Sequence, residues 1–159
     1  MQLRTATLDD LDTILGHRLA MFREMGHDDP WELAVAERVS RAYFENAIPD
    51  GTYHGVLAET EGAGVVGGGG VVIVSWPGSG RRSRPLRPWI LNVYVHPQFR
   101  RRGIAQAIME ALIGWCRLQD FDCICLHASA AGRPLYERLG FEPTNEMRLN
   151  LTRDDLSAG

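Results

Sequence analysis

Three arginines followed by a glycine, in Arg100-Arg101-Arg102-Gly103-Ile104-Ala105, carry the plainest chemical meaning in this sequence. A mostly apolar run from Trp89 to Val95 precedes them and is stopped by His96-Pro97. After them, Ile104, Ala107, Ile108, Ala111, Leu112 and Trp115 recur at helical spacing. The order is strand, glycine-bearing turn, helix. Such a turn directs several unpaired backbone N–H groups and the positive end of the helix dipole at one point, which suits a phosphate. The guanidinium groups add charge, Gly103 lets a ligand approach the backbone, and Ala105 keeps the first helical turn narrow. A pyrophosphate suits this arrangement, although the segment has neither the Gly-Lys-Ser/Thr of a triphosphate loop nor the three-glycine dinucleotide fingerprint. Taken alone, an arginine run is equally a solvated turn; the flanking strand and amphipathic helix favour the anion site.

The remaining elements must position this turn. Thr7 with Asp10 marks a helix start, and Leu11, Ile14, Leu15, Leu19 and Phe22 predict a helix from about Leu8 to Glu24. Asp29-Pro30 caps a second helix, with Val35, Val39, Ala42 and Tyr43 as its buried stripe. Thr52 to Ala58 and Val65 to Val74 read as an antiparallel hairpin around Glu61-Gly62-Ala63-Gly64. The four glycines from Gly67 to Gly70 leave two readings open, a bulge or close backbone approach, and a flexible loop. Ser75 to Pro88, rich in proline, glycine and arginine, is expected to be an exposed loop. Cys123 to Ala128 predicts a strand parallel to that of Trp89 to Val95, joined by a right-handed crossover. Leu135 to Leu139 reads as a short helix ended by Gly140, and Met147, Leu149 and Leu151 alternate as a last strand.

At 159 residues and 45% hydrophobic content, the chain is long enough for one core and too short for two ordinary domains. The formal net charge of −3 lacks the basic excess of a nucleic-acid partner. With no long apolar run and no apolar signal region after Met1, the expectation is a soluble, cytoplasmic protein without a membrane partner. Cys116, Cys123 and Cys125 lack zinc-ligand spacing and read as reduced, buried thiols. All 17 basic residues are arginine, which excludes a lysine nucleophile or Schiff base.

Taken together, the sequence resembles the GNAT-type N-acetyltransferase superfamily. The family's acyl-coenzyme A signature is Gln or Arg, two residues, Gly, one residue, then Gly or Ala; Arg100, Gly103 and Ala105 match it. Asn92-Val93-Tyr94-Val95-His96-Pro97 is similar to the end of the family's fourth strand, and Leu135-Tyr136-Glu137-Arg138-Leu139-Gly140-Phe141 to its tyrosine motif. The resemblance is close from Trp89 to Phe141 and rests on element order before that. It implies an α/β (α+β) fold, with a central mixed, splayed sheet of about six or seven strands flanked by about four helices. Residues 1–153 would form a single domain, with 154–159 as a frayed tail. Acetyl-coenzyme A is the implied acetyl donor, with no metal, held by Val93, Tyr94, Val95, Arg100, Arg101, Arg102, Gly103, Ile104, Ala105, Ser129, Gly132 and Tyr136. The main-chain groups of Val93 and Val95 would pair with the pantetheine arm as a neighbouring strand does.

The implied reaction transfers acetyl directly to a primary amine of a small molecule, peptide or protein. Tyr136 is the implied general acid: a phenol of pKa about 10 can donate to a departing thiolate whose thiol lies near about 8.5. Asn92 is a candidate for positioning water, and Glu24, His17, His27 and His127 are candidate bases, since no glutamate occupies the strand position some relatives use. Ser129 and Gly132 stand where many members have asparagine and alanine. Met21, Phe22, Met25 and Trp31 are the expected acceptor pocket, beneath the Ser75 to Pro88 loop, whose Arg81, Arg82, Arg84 and Arg87 have two readings, a solvated loop by default or an attraction for an acidic acceptor. A noncatalytic acyl-coenzyme A sensor is the alternative, and a homodimer is the assembly considered.

Overall fold

The computed structural model describes residues 1–78 and 84–149. Arg81 and Arg82 of the expected loop, and Leu151 of the expected last strand, lie outside them. The chain divides into two compact units, Met1–His127 and the residues from Ala128 on.

In the first unit, β1 (Gln2–Thr5) leads through a 3-10 turn, Leu8–Asp10, into helix α1 (Leu11–Glu24). Helix α2 spans Pro30–Ala47. Strands β2 (Tyr53–Thr60), β3 (Gly64–Ser75) and β4 (Leu86–Val95) follow, then helix α3 (Ile104–Leu118) and the short β5 (Cys125–Leu126). The five strands lie in chain order in one mixed sheet: β1 to β4 are successively antiparallel, and β5 runs parallel to β4. The expected six or seven strands are corrected to five among the described residues. Alternation at Met147 and Leu149 makes no strand, and both side chains are almost fully exposed. Periodicity alone does not create a ladder partner. Two further differences are local: β1 was not anticipated, and β4 begins at Leu86, inside the expected loop.

Capping chemistry fixes the helix starts. Asp29 Oδ1 accepts from the N–H groups of Trp31 and Glu32 at 2.9 Å, with Pro30 in the first turn, as the sequence indicates. The buried face of α2, however, is Leu33, Ser40, Phe44 and Ala47, whereas Val39 and Tyr43 are exposed. A polar residue in the true stripe conceals it. Ser40 is buried because it accepts a hydrogen bond from Arg18 of α1.

Ala6, Leu11, Ile14, Leu15, Phe44, Ala47, Tyr53 and Leu57 form the core on the α1/α2 face of the sheet. Ile108, Met109, Leu112 and Cys116 bury the opposite helix, α3. The four-glycine run proves to be continuous strand, and close approach explains it. A Cβ at Gly68 would lie 2.7 Å from Leu57 Cδ2 on one face; one at Gly69 would lie 3.0 Å from Ile108 Cγ2 on the other.

At the N-terminal edge, Asp10 receives both terminal nitrogens of Arg4 at 2.7 Å and the N–H of Thr7 at 2.8 Å. The Arg4 hydrogen bonds outweigh burial and hold the Asp10 carboxyl at about 2. A depressed carboxylate stabilises the fold above its unfolded pKa of about 4 and loses that contribution as pH falls toward 2. Asp10→Asn is therefore expected to cost on the order of 1–2 kcal/mol at pH 7, discounted for the partial exposure of Arg4. In urea unfolding, its deficit against the parent should narrow as pH falls from 5 toward 3. A constant deficit across that range would contradict the assignment.

Candidate active site

Strand β4 is the axis of the site. Its pairing with β5 consists of Trp89 with Cys125 and Ile90 with Leu126, so among the described residues Leu91 to Val95 run on without a strand neighbour on that side. On the other side, Gly68 pairs with Tyr94 and Gly70 with Leu91, which sets Gly69 against both Asn92 and Val93. This is a bulge in β4, and Asn92 takes the left-handed conformation there, with φ 57°. Beyond the bulge, His96 donates its N–H to Val66 of β3 at 2.9 Å. Strand alternation then turns the main-chain groups of Val95 and Val93 toward the open edge. Those groups can pair with an extended ligand arm.

The 3-10 turn Pro97–Phe99 carries the chain from this edge to the arginine turn. Arg101 (φ 61°) and Gly103 (φ 77°) are both left-handed, which curls successive N–H groups around a concavity of the kind that binds anions. The N–H of Ala107 bonds to the carbonyl of Gly103 at 3.0 Å. The N–H groups of Ile104, Ala105 and Gln106 precede that bond and have no partner within the helix. A Cβ at Gly103 would touch nothing within 4 Å, so only backbone conformation demands glycine there in the free protein.

The arginines divide their duties. Arg100 donates through Nε to the Val95 carbonyl at 2.9 Å and pairs with Glu24 Oε1 at 2.5 Å, tying the end of β4 to the end of α1. Its side chain is thus engaged within the fold. Arg102 packs its guanidinium 5.3 Å from the Phe99 ring centroid. Arg101 and Arg102 are exposed, with no ion pair among the described residues, and remain available for phosphate.

On the α1 side, burial and then the charge of His96 hold the His17 imidazole below its ordinary value, so it is neutral at pH 7. Its ring lies 5.1 Å from that of Tyr94. His17, Tyr53, Gly69 and Asn92 line a small cavity. Asn92 is buried, with Oδ1 accepting from Arg18 at 2.7 Å and Nδ2 without a partner among the described residues. Glu24 is committed to Arg100, His27 stands edge-on to Phe22, and His127 lies against Trp89 at the end of β5. Of the expected acceptor residues, Met21 and Phe22 are half-buried on α1, whereas Met25 and Trp31 are exposed.

The second unit carries the tyrosine motif. Its helix α4 spans Arg133–Arg138, two residues ahead of the expected start. Ser129 opens it: Oγ accepts from the Gly132 N–H at 3.1 Å and the Ser129 carbonyl from the Arg133 N–H at 3.0 Å. Gly132 is in ordinary right-handed geometry, and its role is space. A Cβ there would stand 2.8 Å from Tyr136 Cε2 and 3.0 Å from its hydroxyl. Burial raises the Tyr136 phenol above its ordinary value, which keeps the proton on oxygen.

The sequence profile of the acetyltransferase (GNAT) family matches residues 18–141, the greater part of the chain. The protein belongs to that family. As a GNAT acetyltransferase it is an acyltransferase. A GCN5-related N-acetyltransferase from Ralstonia eutropha JMP134 is 35% identical, with a TM-score of 0.87, over 94% of this chain and 97% of that one. A predicted acetyltransferase from Clostridium acetobutylicum, solved with acetyl-CoA, is 23% identical with a TM-score of 0.86, over 97% of each chain. AAC(6')-Iy, in complex with the bisubstrate analog CoA-S-monomethyl-acetylneamine, shares the fold at 21% identity and a TM-score of 0.71, over 96% of this chain and 97% of that one. No curated protein matches the chain.

Two features of this GNAT acetyltransferase escape sequence reasoning. The bulge at Asn92 has no local signature, because it arises from pairing with β3. Arg18 had a signal: it occupies the helical stripe between Ile14 and Phe22, where a charge is out of place. Among the described residues, no helix is long and apolar enough to cross a membrane.

Proposed function

We propose that this protein transfers an acetyl group from acetyl-coenzyme A directly to a primary amine of a small molecule, peptide or protein. The observation that carries the reading is the open edge of β4, continued without interruption into the curled turn at Arg101–Gly103 and the unpaired N–H groups of α3. The pantetheine arm pairs with Val93 and Val95, and the pyrophosphate takes the N–H groups of Gly103, Ile104 and Ala105, with Arg101 and Arg102 above. Residues 1–153 act as one N-acetyltransferase domain, a reading that agrees with the unbroken family match across 18–141.

In the reaction, the amine nitrogen attacks the thioester carbon and the carbonyl oxygen becomes an oxyanion. Backbone N–H groups aimed at that oxygen lower the barrier. Collapse breaks the carbon–sulfur bond, and the thiolate takes the phenolic proton of Tyr136. The ammonium proton leaves to a water that accepts from Asn92 Nδ2, so Asn92 acts as a positioning residue. Glu24 is a weak choice for the base, because its carboxylate is occupied by the ion pair with Arg100.

Gly103→Val tests the cofactor site. A β-branched residue at φ 77° costs about 1–2 kcal/mol of stability, and its side chain enters the space given to the pyrophosphate. Calorimetry at low ionic strength should show acetyl-coenzyme A binding weakened at least about tenfold, roughly 1.4 kcal/mol. Undiminished affinity in a folded variant would place the pyrophosphate elsewhere. Release of coenzyme A thiol across an amine panel separates the enzyme from a sensor, which binds the cofactor and releases none.

A further inference from the structure

Among the described residues, Arg18 is a cation without an anion. Its Nε donates to Ser40 Oγ at 3.0 Å, one terminal nitrogen donates to Asn92 Oδ1 at 2.7 Å, and its guanidinium carbon sits 4.6 Å from the Phe22 ring centroid. Each of these partners is neutral. The second terminal nitrogen has no hydrogen-bond partner among the described residues. Carboxylates on α1, on α2 and in the turn before α1 are committed elsewhere: Asp12 and Glu37 to Arg41, Glu24 to Arg100, and Asp10 to Arg4.

A guanidinium drawn largely out of water carries a desolvation penalty that neutral hydrogen bonds offset only in part. Burial also lowers the Arg18 pKa, the direction expected of a cation lacking a counter-charge. Beside it, the buried Asn92 spends its oxygen on Arg18 and brings no charge that could neutralise the guanidinium. A half-buried guanidinium with a positive charge, one unpartnered nitrogen and only neutral neighbours is the chemical complement of a carboxylate. Arg18 and Phe22 are each partly exposed, so the group is reachable from outside. Through Asn92 it adjoins the bulge in β4.

We infer that Arg18 is the specificity-determining residue for the acceptor, and that it binds a carboxylate carried on the amine substrate. The acceptor is then of amino-acid type, with its carboxylate a few bonds from the nitrogen that attacks. This inference rests on acetyl transfer at the β4 edge as proposed above.

The test compares free amino acids with their carboxamides, at equal concentrations of acetyl-coenzyme A, by thiol release. In the parent protein, kcat/KM for the carboxylate member should exceed that for its carboxamide by about 10- to 100-fold, the worth of charge-assisted hydrogen bonds. In Arg18→Met that ratio should fall to near unity, and in Arg18→Lys it should recover in part. A parent ratio near unity would overturn the inference. So would an Arg18→Met variant that loses activity on both members alike with the ratio intact, which is how a purely structural strut behaves. Calorimetry with the amino acids alone separates this inference from the transfer reading. Binding that is lost in Arg18→Met, with no thiol release from any amine, upholds the carboxylate site and removes the reaction. Turnover of neutral amines without binding of any amino acid does the reverse.

Discussion

Tyr136→Phe is expected to lower kcat by about 10²- to 10⁴-fold, the usual span for a lost general acid, with acetyl-coenzyme A affinity nearly unchanged. The reason lies in what the hydroxyl does and when. In the ground state the sulfur is a thioester and needs no proton; only as the carbon–sulfur bond breaks does charge gather there, so the donor acts on the transition state. Burial raises the Tyr136 pKa, so the phenol stays protonated through the physiological range. The alkaline limb of the parent's pH–rate profile should therefore lie above the reference value of about 10, and the variant should lack it. The ring packs edge-on to Phe141 at 6.1 Å and across Gly132, contacts that phenylalanine retains. A folded variant with an unchanged rate would remove the donor role.

How much of this was legible beforehand depends on whether a feature is local. The glycine turn and the cap at Asp29-Pro30 are written in neighbouring residues, and the structure places both where the sequence does; the stripe of α3 holds at Ile104, Ile108 and Leu112, but Met109 and Cys116 complete it while Ala107, Ala111 and Trp115 are only half-buried. The strand end and turn proposed for the cofactor were readable for the same reason: Val95 and Arg100 lie five residues apart. Features made by distant pairing were not. The bulge at Asn92 requires a glycine opposite it on β3, and the α2 stripe was misassigned because Ser40 is buried only in company with Arg18, 22 positions earlier. Arg100 shows the mixed case. The motif that names it is local, but its bond to Glu24 spans 76 positions and sends the side chain to a structural task. A family signature therefore identifies a backbone more securely than it identifies the side-chain contacts of each member.

The four-glycine strand gives the largest expected effect on stability. At Gly70 an added Cβ would stand 2.2 Å from the Tyr53 hydroxyl and 2.3 Å from Cζ and Cε2, well inside contact distance. A flexible side chain would swing away, but this ring cannot. It is buried, meets Phe44 edge-on at 4.7 Å, and lies against Gly55, where a Cβ would be 3.0 Å from Tyr53 Cε1. Overpacking of this kind costs about 1–3 kcal/mol and more where nothing can yield, so Gly70→Ala is expected at or above about 3 kcal/mol in urea unfolding. Removing only the hydroxyl gives little relief, because the ring carbons are equally close. In a Tyr53→Leu background the ring is gone, and Gly70→Ala should then cost well under 1 kcal/mol of additional stability, a coupling of about 2 kcal/mol or more between the two positions. Additive effects would mean that glycine is needed there for another reason. The ring also flanks Asn92 and Arg18, since all three meet on the α1 face of the sheet. The same substitution should therefore disturb the acceptor side before it disturbs the pyrophosphate turn, raising KM for the amine while acetyl-coenzyme A still binds.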